Sequence, residues 1–180
     1  MTGRAGLGRH SACRGSSTLE MTMVGIPLIF TLISIFEISR GMWIYHTLAY
    51  TVNEAVRYAA VHGKNCVLNP PTVTNDCTIQ VSAIATKIRN NGSGALLCND
   101  GTYSCVTLTL TPAGGCSTLA ACLTTNTVWP PSGSNDVGMP LQIDIRIPFN
   151  SALGMLFPGT GYVAFAPVNL GASTNQQIQF

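Results

Sequence analysis

The chain has 180 residues, of which 46% are hydrophobic and only 9% are charged, and its formal net charge is +2. This length and composition fit one modest domain together with a membrane segment. The charge is uneven, because three arginines precede an apolar run near the N-terminus, whereas the chain from Ser16 onward carries six Lys/Arg against seven Asp/Glu. No basic stripe remains in that part, which argues against nucleic acid as a partner.

An uncharged apolar run over residues 21–36 predicts a membrane helix. Its sixteen residues span about 24 Å as an α-helix, which is short against a hydrocarbon core of roughly 30 Å. Glu20 at the inner boundary, with Glu37 and Arg40 at the outer one, would close the gap. The membrane is therefore the first expected partner.

Three arginines precede this run within a leader that is rich in glycine and arginine and has no acidic residue, whereas Arg40 on the other side is accompanied by Glu37. Such an asymmetry orients the basic side to the cytoplasm. We therefore expect a cytoplasmic leader over residues 1–15, a transmembrane helix over residues 16–41 and an extracytoplasmic domain over residues 42–180. The protein would then cross the inner (cytoplasmic) membrane once.

The helix is expected to continue beyond the membrane, near residues 18–62, as an amphipathic half. Apolar side chains recur there at helical spacing, at Ile44, Leu48, Val52, Ala55, Val56 and Ala59. This stripe needs a partner, which must come from residues 64–180. A second, short helix is predicted over residues 77–90, with Asn91-Gly92 ending it.

Alternation of apolar and polar residues predicts strands in the rest of the chain. Residues 105–111 and 141–147 show it most clearly, and Pro148 is expected to end the second of these strands. Two weaker strands are predicted at 162–166 and 176–180. The fold class is therefore α+β, with a long N-terminal helix packed on a small antiparallel sheet and a second short helix beside it.

Seven cysteines are present, of which Cys13 lies in the leader and six lie beyond the membrane segment: Cys66, Cys77, Cys98, Cys105, Cys116 and Cys122. In an oxidising compartment these six are disulfide candidates, and six cysteines allow fifteen connectivities. The turn sequence Asn99-Asp100-Gly101 favours Cys98–Cys105, and local pairs Cys66–Cys77 and Cys116–Cys122 would complete a sequential set. No CxxC spacing exists, so we expect neither a metal nor a cofactor.

The stretch from Arg14 to Glu20 admits two interpretations. In the first, Ser17 is the N-cap of the helix and Glu20 reaches back to its amide in a capping box. In the second, the stretch resembles the processing site of type IV prepilins, where a membrane protease cuts after the glycine. The cap leaves Gly15 and the basic residues before it unexplained, and a carboxylate in an apolar helix, which costs about 2.5–3.5 kcal/mol at its centre, indicates a use.

The first 50 residues resemble the TadE/TadG-like family, which comprises minor pilins or pseudopilins of the Tad (Flp) tight-adherence system. The matching features are the Arg14-Gly15 leader end, Leu19-Glu20, Ile26-Pro27-Leu28, Phe36-Glu37-Ile38-Ser39-Arg40, the Ala/Arg-rich residues 53–61 and Ile147-Pro148-Phe149. The resemblance implies a pilin-like fold and a processing site formed by Gly15, Ser16 and Glu20, where prepilin peptidase would cut the Gly15–Ser16 bond. It also implies other pilins and Tad assembly proteins as partners.

Three functions follow as hypotheses. The first is a minor pilin or pseudopilin in the assembly of a Tad-type pilus used for adherence. The second is a permanently anchored extracytoplasmic binding module that is never processed. The third is an anchored enzyme. The exported part offers only His46 and His62, without a Ser/Asp constellation, and His62 is better explained as a helix C-terminal cap. We therefore expect no enzyme.

Overall fold

A computed structural model of the chain describes residues 16–63, 79–98, 100–151 and 167–179. Its elements are α1 (Ser16–Ala60), α2 (Val81–Gly92), a 3₁₀ turn (Ser93–Ala95), β1 (Thr107–Thr111), α3 (Leu119–Cys122), β2 (Pro140–Phe149) and β3 (Val168–Gln177). A long N-terminal helix, short helices and a small antiparallel sheet confirm the predicted α+β class. The chain divides into two compact units, one up to Ile38 and the other from Ser39, called here the N-terminal unit and the head unit.

The head unit contains one three-stranded sheet in the order β1-β2-β3, and both pairings are antiparallel. β1 pairs with β2 from Thr107↔Arg146 to Thr111↔Gln142. β3 pairs with β2 along the full length of both strands. Burial alternates along β1 and β2, so one face of the sheet enters the core while the other remains open.

The part of α1 that belongs to the head unit provides the other side of the core. Its predicted stripe is buried, since Leu48, Val52, Ala55 and Ala59 are all 0% exposed. Further buried apolar residues are Ile84, Ala85 and Ile88 of α2, Leu108 and Leu110 of β1, and Leu141, Ile143, Ile145 and Ile147 of β2. Burial of each large side chain contributes about 1.5–3 kcal/mol to the stability of the fold. The apolar stripe of α1 is thus buried in the core of the same chain.

Trp129 fills the core from the connection between α3 and β2. The side chain is fully buried, and its indole N–H donates to the carbonyl of Pro112. A buried indole needs such an acceptor, because an unpaired N–H inside the core would cost free energy. This hydrogen bond fixes the connection against the residue that follows β1.

Two predictions about strands were wrong. Pro148 does not end β2, which runs on to Phe149. Pairing with β1 stops at Arg146, so beyond it no strand of the described residues pairs with β2 on that side, and a proline that lacks an N–H is tolerated there. The strand predicted at 176–180 is instead β3, which begins at Val168.

Other differences concern boundaries. α2 begins at Val81 instead of residue 77, and residues 77–78 lie outside the described part of the chain. The connection between β1 and β2 contains the four-residue helix α3, in which the backbone N–H of Ala121 donates to the hydroxyl of Thr118 as an N-cap. The strand predicted at 162–166 falls outside the described residues.

Candidate functional site

The N-terminal unit has an almost wholly apolar surface. Its exposed large apolar side chains are Leu19, Met21, Met23, Val24, Ile26, Leu28, Ile29, Phe30, Leu32, Ile35, Phe36 and Ile38. Among the described residues, the helix from Thr18 to Ala60 has the length and the composition needed to cross a membrane. An apolar surface of this extent marks a contact with lipid or protein.

Three hydroxyl groups in the apolar part of this helix donate to its own backbone carbonyls. Thr22 donates its hydroxyl to the carbonyl of Leu19 at 2.9 Å, and Ser34 donates to that of Phe30 at 2.8 Å. Thr31 donates at 2.9 Å to the carbonyl of Pro27, and the helix continues across that proline. In lipid, backbone and hydroxyl groups must find partners within the protein, and this arrangement provides them.

The residues predicted to form a processing site lie at the start of this helix. Ser16 is the first residue of α1, and Glu20 follows one turn later with an exposed side chain. Gly15 lies outside the described residues, as do the side chains of Ser16 and Ser17. Neither the processing site nor the capping box is therefore tested by the geometry.

Two of the motifs that carry the family resemblance meet in the head unit. Arg40 donates from Nη2 to the carbonyl of Asn150 at 2.9 Å, and its guanidinium carbon lies 4.7 Å from the ring centroid of Phe149. A methyl group in place of the hydrogen of Gly41 would lie 3.8 Å from the same ring. The arginine of the helix motif thus anchors the end of β2, a contact that the sequence shows only as two separate motifs.

Two disulfides join cysteines close in sequence. Cys98 and Cys105 have Cα atoms 5.9 Å apart, and those of Cys116 and Cys122 are 5.3 Å apart. These are two of the three local pairs favoured by the spacing. Cys66 and Cys77 lie outside the described residues, so the third pair remains a prediction.

The loop closed by Cys98 and Cys105 is held by one carboxylate. Asp100 accepts hydrogen bonds from the hydroxyl of Thr102 at 2.7 Å and from its backbone N–H at 2.9 Å. The hydroxyl bond, followed by the backbone bond, lowers the pKa of the Asp100 carboxyl. Gly101 supplies the positive φ of 74° that the turn requires.

The described residues contain no group of three His, Cys, Asp or Glu side chains arranged to hold a metal ion. His62 follows α1, and its Nδ1 lies 2.6 Å from the carbonyl oxygen of Tyr58. With a proton on Nδ1 the ring donates to that carbonyl, which is the contact of a helix C-terminal cap. The geometry therefore gives His62 a structural contact at the end of the helix.

By architecture, the chain has one N-terminal helix suited to a membrane and a disulfide-linked α+β unit after it. A family model, that of TadE-like proteins, matches residues 15–57. This match, over about a quarter of the chain, confirms the resemblance of the N-terminal residues to that family. No match is found to a curated protein or to a solved structure.

Proposed function

We propose that the chain is a minor pilin or pseudopilin that takes part in the assembly of a Tad-type pilus used for adherence. The observation that carries this proposal is the TadE-like match, which begins at Gly15 and extends through the exposed apolar part of α1 to Arg57. The match thus begins at the predicted processing site and includes the predicted membrane segment. It ends inside the buried stripe of the head unit.

Processing supplies the physical reason for the acidic residue. Prepilin peptidase would cut the Gly15–Ser16 bond and leave a free amine on Ser16, and an α-amino group has an ordinary pKa of about 7.7–8.0. Ser16 and Glu20 are four residues apart in one helix, a rise of about 6 Å. The amine of the same chain or of a neighbouring pilin would offset the cost of placing the carboxylate in an apolar environment.

The membrane would retain the subunit until assembly. The apolar part of α1 would lie in the inner membrane, with the arginine-bearing residues 1–15 in the cytoplasm and the domain from residue 42 onward outside it. Two disulfides in the head unit agree with an oxidising compartment. The partners would then be prepilin peptidase, other pilins and Tad assembly proteins.

Mass spectrometry of the protein purified from membranes tests this proposal. We expect an N-terminus at Ser16 in the wild type and an intact N-terminus in Gly15→Leu, since the bulky side chain blocks the peptidase. Gly8→Leu makes the same change earlier in the leader and should be processed normally. An uncut chain in cells with normally assembled pili would refute processing and favour the alternative, a permanently anchored binding module.

Glu20 provides a second, separate measurement. In Glu20→Gln the side chain keeps its size but loses its charge, so the chain should still insert in the membrane. Pilus assembly should fall, because the new amine at Ser16 has lost its counterion. Normal pilus numbers with Glu20→Gln would contradict the pairing of amine and carboxylate while leaving cleavage itself intact.

A further inference from the structure

The open face of the sheet in the head unit is polar. β1 presents Thr107, Thr109 and Thr111 there, and all three are exposed. The neighbouring positions of β2 and β3 are Gln142, Asp144 and Arg146 opposite Asn175, Ser173 and Gly171. Within the described strands this face carries no aromatic and no large aliphatic side chain. Burial in a protein interface therefore offers it little hydrophobic driving force.

One ion pair occupies the centre of this face. Arg146 donates from Nε to Oδ1 of Asp144 at 3.0 Å. In the described part of the chain, both Nη groups of Arg146 and Oδ2 of Asp144 have no hydrogen-bond partner. Arg146 is exposed and Asp144 half-buried, and an ion pair at a protein surface contributes little to stability, so its value to the fold does not account for its presence.

The strand next to this pair leaves space for it. Gly171 lies opposite Arg146, and a Cβ atom there would come within 3.1 Å of Cγ of Arg146 and 3.2 Å of the carbonyl oxygen of Ile145. Glycine weakens a strand interior, and its use there marks a position where another group approaches closely. The glycine therefore allows the stem of Arg146 to lie flat across β3.

These side chains line a hollow of about 440 Å³ on the open face. It is lined by Cys105, Thr107, Thr109, Asp144, Arg146, Pro148 and Asn169. This volume is within the range of about 300–1,000 Å³ that small-molecule sites occupy. The hollow thus brings hydroxyl groups, a side-chain amide and both members of an ion pair within reach of one ligand.

The charge of the hollow selects the class of ligand. Asp144 and Arg146 cancel, so a polyanion such as a nucleic acid or an acidic lipid surface gains no net attraction. The groups available to a ligand are the Nη donors of Arg146 and the acceptor Oδ2 of Asp144, with the hydroxyl groups of Thr107 and Thr109 beside them. Two adjacent hydroxyl groups of a sugar match this set, since one accepts from Nη of Arg146 while the other donates to Oδ2 of Asp144.

We propose that the open face of the sheet is a binding site for a neutral saccharide, in which Arg146 and Asp144 recognise a pair of neighbouring hydroxyl groups and Thr109 and Asn169 extend the contact. The proposal goes beyond the assembly role above and does not rest on it. The site belongs to the head unit, and it would bind whether or not the N-terminus is cut.

Binding is tested by NMR on the full chain in a zwitterionic detergent that carries no sugar. Maltohexaose, cellohexaose and a mannose hexamer serve as probes, and a galacturonate hexamer is the acidic comparison. At least one neutral probe should shift the amide signals of Thr107, Thr109 and Gly171 in a saturable manner. Because the site has no net charge, the affinity should change little between low and high salt.

Three variants locate the site. Arg146→Gln and Asp144→Asn each remove hydrogen bonds to a charged group and should weaken binding about tenfold. Gly171→Ala displaces the stem of Arg146 without changing charge and should weaken it as well. Arg57→Gln, an exposed arginine of α1, is the matched control and should bind as the wild type. Unchanged spectra elsewhere show that each variant is folded.

Several results would overturn the proposal. Absence of saturable shifts with all three neutral hexamers would do so, as would neutral binding that survives both Arg146→Gln and Asp144→Asn. Preference for the galacturonate hexamer, with affinity that falls steeply as salt rises, would show an anion site instead. Loss of pilus assembly in the Gly15 variant alongside normal saccharide binding would separate the two proposals.

Discussion

The two parts of α1 are made of similar residues but have opposite surroundings. In the N-terminal unit Leu28 is 54% exposed, whereas Leu48 in the head unit is 0% exposed. The first part is apolar on every side, and the second is apolar along one stripe with polar residues such as Asn53 and Glu54 on the other side. The distribution of apolar residues around the helix, rather than their number, separates a surface meant for lipid from one meant for a core.

The two parts of α1 need different surroundings, a protein core for one and a bilayer or other helices for the other. A stripe can be covered by a sheet of the same chain, and here β1 and β2 provide it. An apolar surface on all sides cannot be covered by a domain of this size and needs a bilayer or neighbouring helices. Variants that place the same change in each part test this difference directly.

The largest difference should come from a charge. Val52→Asp puts an unpaired carboxylate in the core and should destabilise the head unit by about 4 kcal/mol or more. Val24→Asp, at a 68% exposed position, should leave unfolding of the head unit unchanged but raise the cost of membrane insertion by about 3 kcal/mol. Near-UV circular dichroism, which reports buried Trp129, and carbonate extraction of membranes measure the two effects. A head unit that unfolds in Val24→Asp would contradict the comparison.

A smaller difference is expected from a pair of truncations. Leu48→Ala removes buried methyl groups from the stripe and should cost the head unit about 2–5 kcal/mol, depending on how far the core closes around the gap. Leu28→Ala is the matched control on the same helix and should not alter the urea midpoint of the head unit. Urea titration in detergent, followed by tryptophan fluorescence, measures both. Equal midpoints for the two variants would place Leu48 outside the core.

Loss of a disulfide should have a still smaller effect. The pairs Cys98–Cys105 and Cys116–Cys122 close loops with separations of 7 and 6 residues, and loops of this size restrict the unfolded chain by about 2 kcal/mol each. Replacing Cys98 and Cys105 by alanine should lower the free energy of unfolding by that amount. Replacing Cys116 and Cys122 should lower it by more, because Cys122 is also buried in the core. Cys13→Ala, in the leader, is the control and should change nothing.

Elements with a clear periodicity of apolar residues could be predicted from the sequence, whereas a strand that depends on pairing with a neighbouring strand could not. The stripe of α1 and the alternation along β2 identified both elements, because burial of apolar side chains determines them. β3 was mostly missed, since after Val168 and Leu170 it has no large apolar residue, and it is a strand through its pairing with β2. The error at Pro148 has the same cause, because the rule against proline depends on which edge of the strand is paired.

The sites show a similar division. Charge, glycine and the apolar run pointed to the start of α1, and the family match begins there. The contact of Arg40 with Phe149 joins residues more than a hundred positions apart, and only the folded chain brings them together. The polar hollow depends on the register of three strands, which no local pattern contains. Long-range pairing is thus what the sequence alone leaves undetermined.

The smallest expected effect concerns Asp100, in the loop closed by Cys98 and Cys105. Its folded pKa is lower than the ordinary 3.8, so the carboxylate stabilises the fold above that pH and loses this contribution as the pH falls through the folded pKa. Thr102→Val removes the hydroxyl donor, the main cause of the shift, and should raise the pKa toward its ordinary value. Carboxyl ¹³C NMR titration measures this change, and Thr124→Val, whose hydroxyl bonds Ala121 instead, should leave it unaltered. Because Asp100 is exposed, the accompanying change in the free energy of unfolding should be smaller than the change caused by loss of the disulfide that closes its loop. If Thr102→Val leaves the titration of Asp100 unaltered, the low pKa is caused by the backbone amide instead of the hydroxyl.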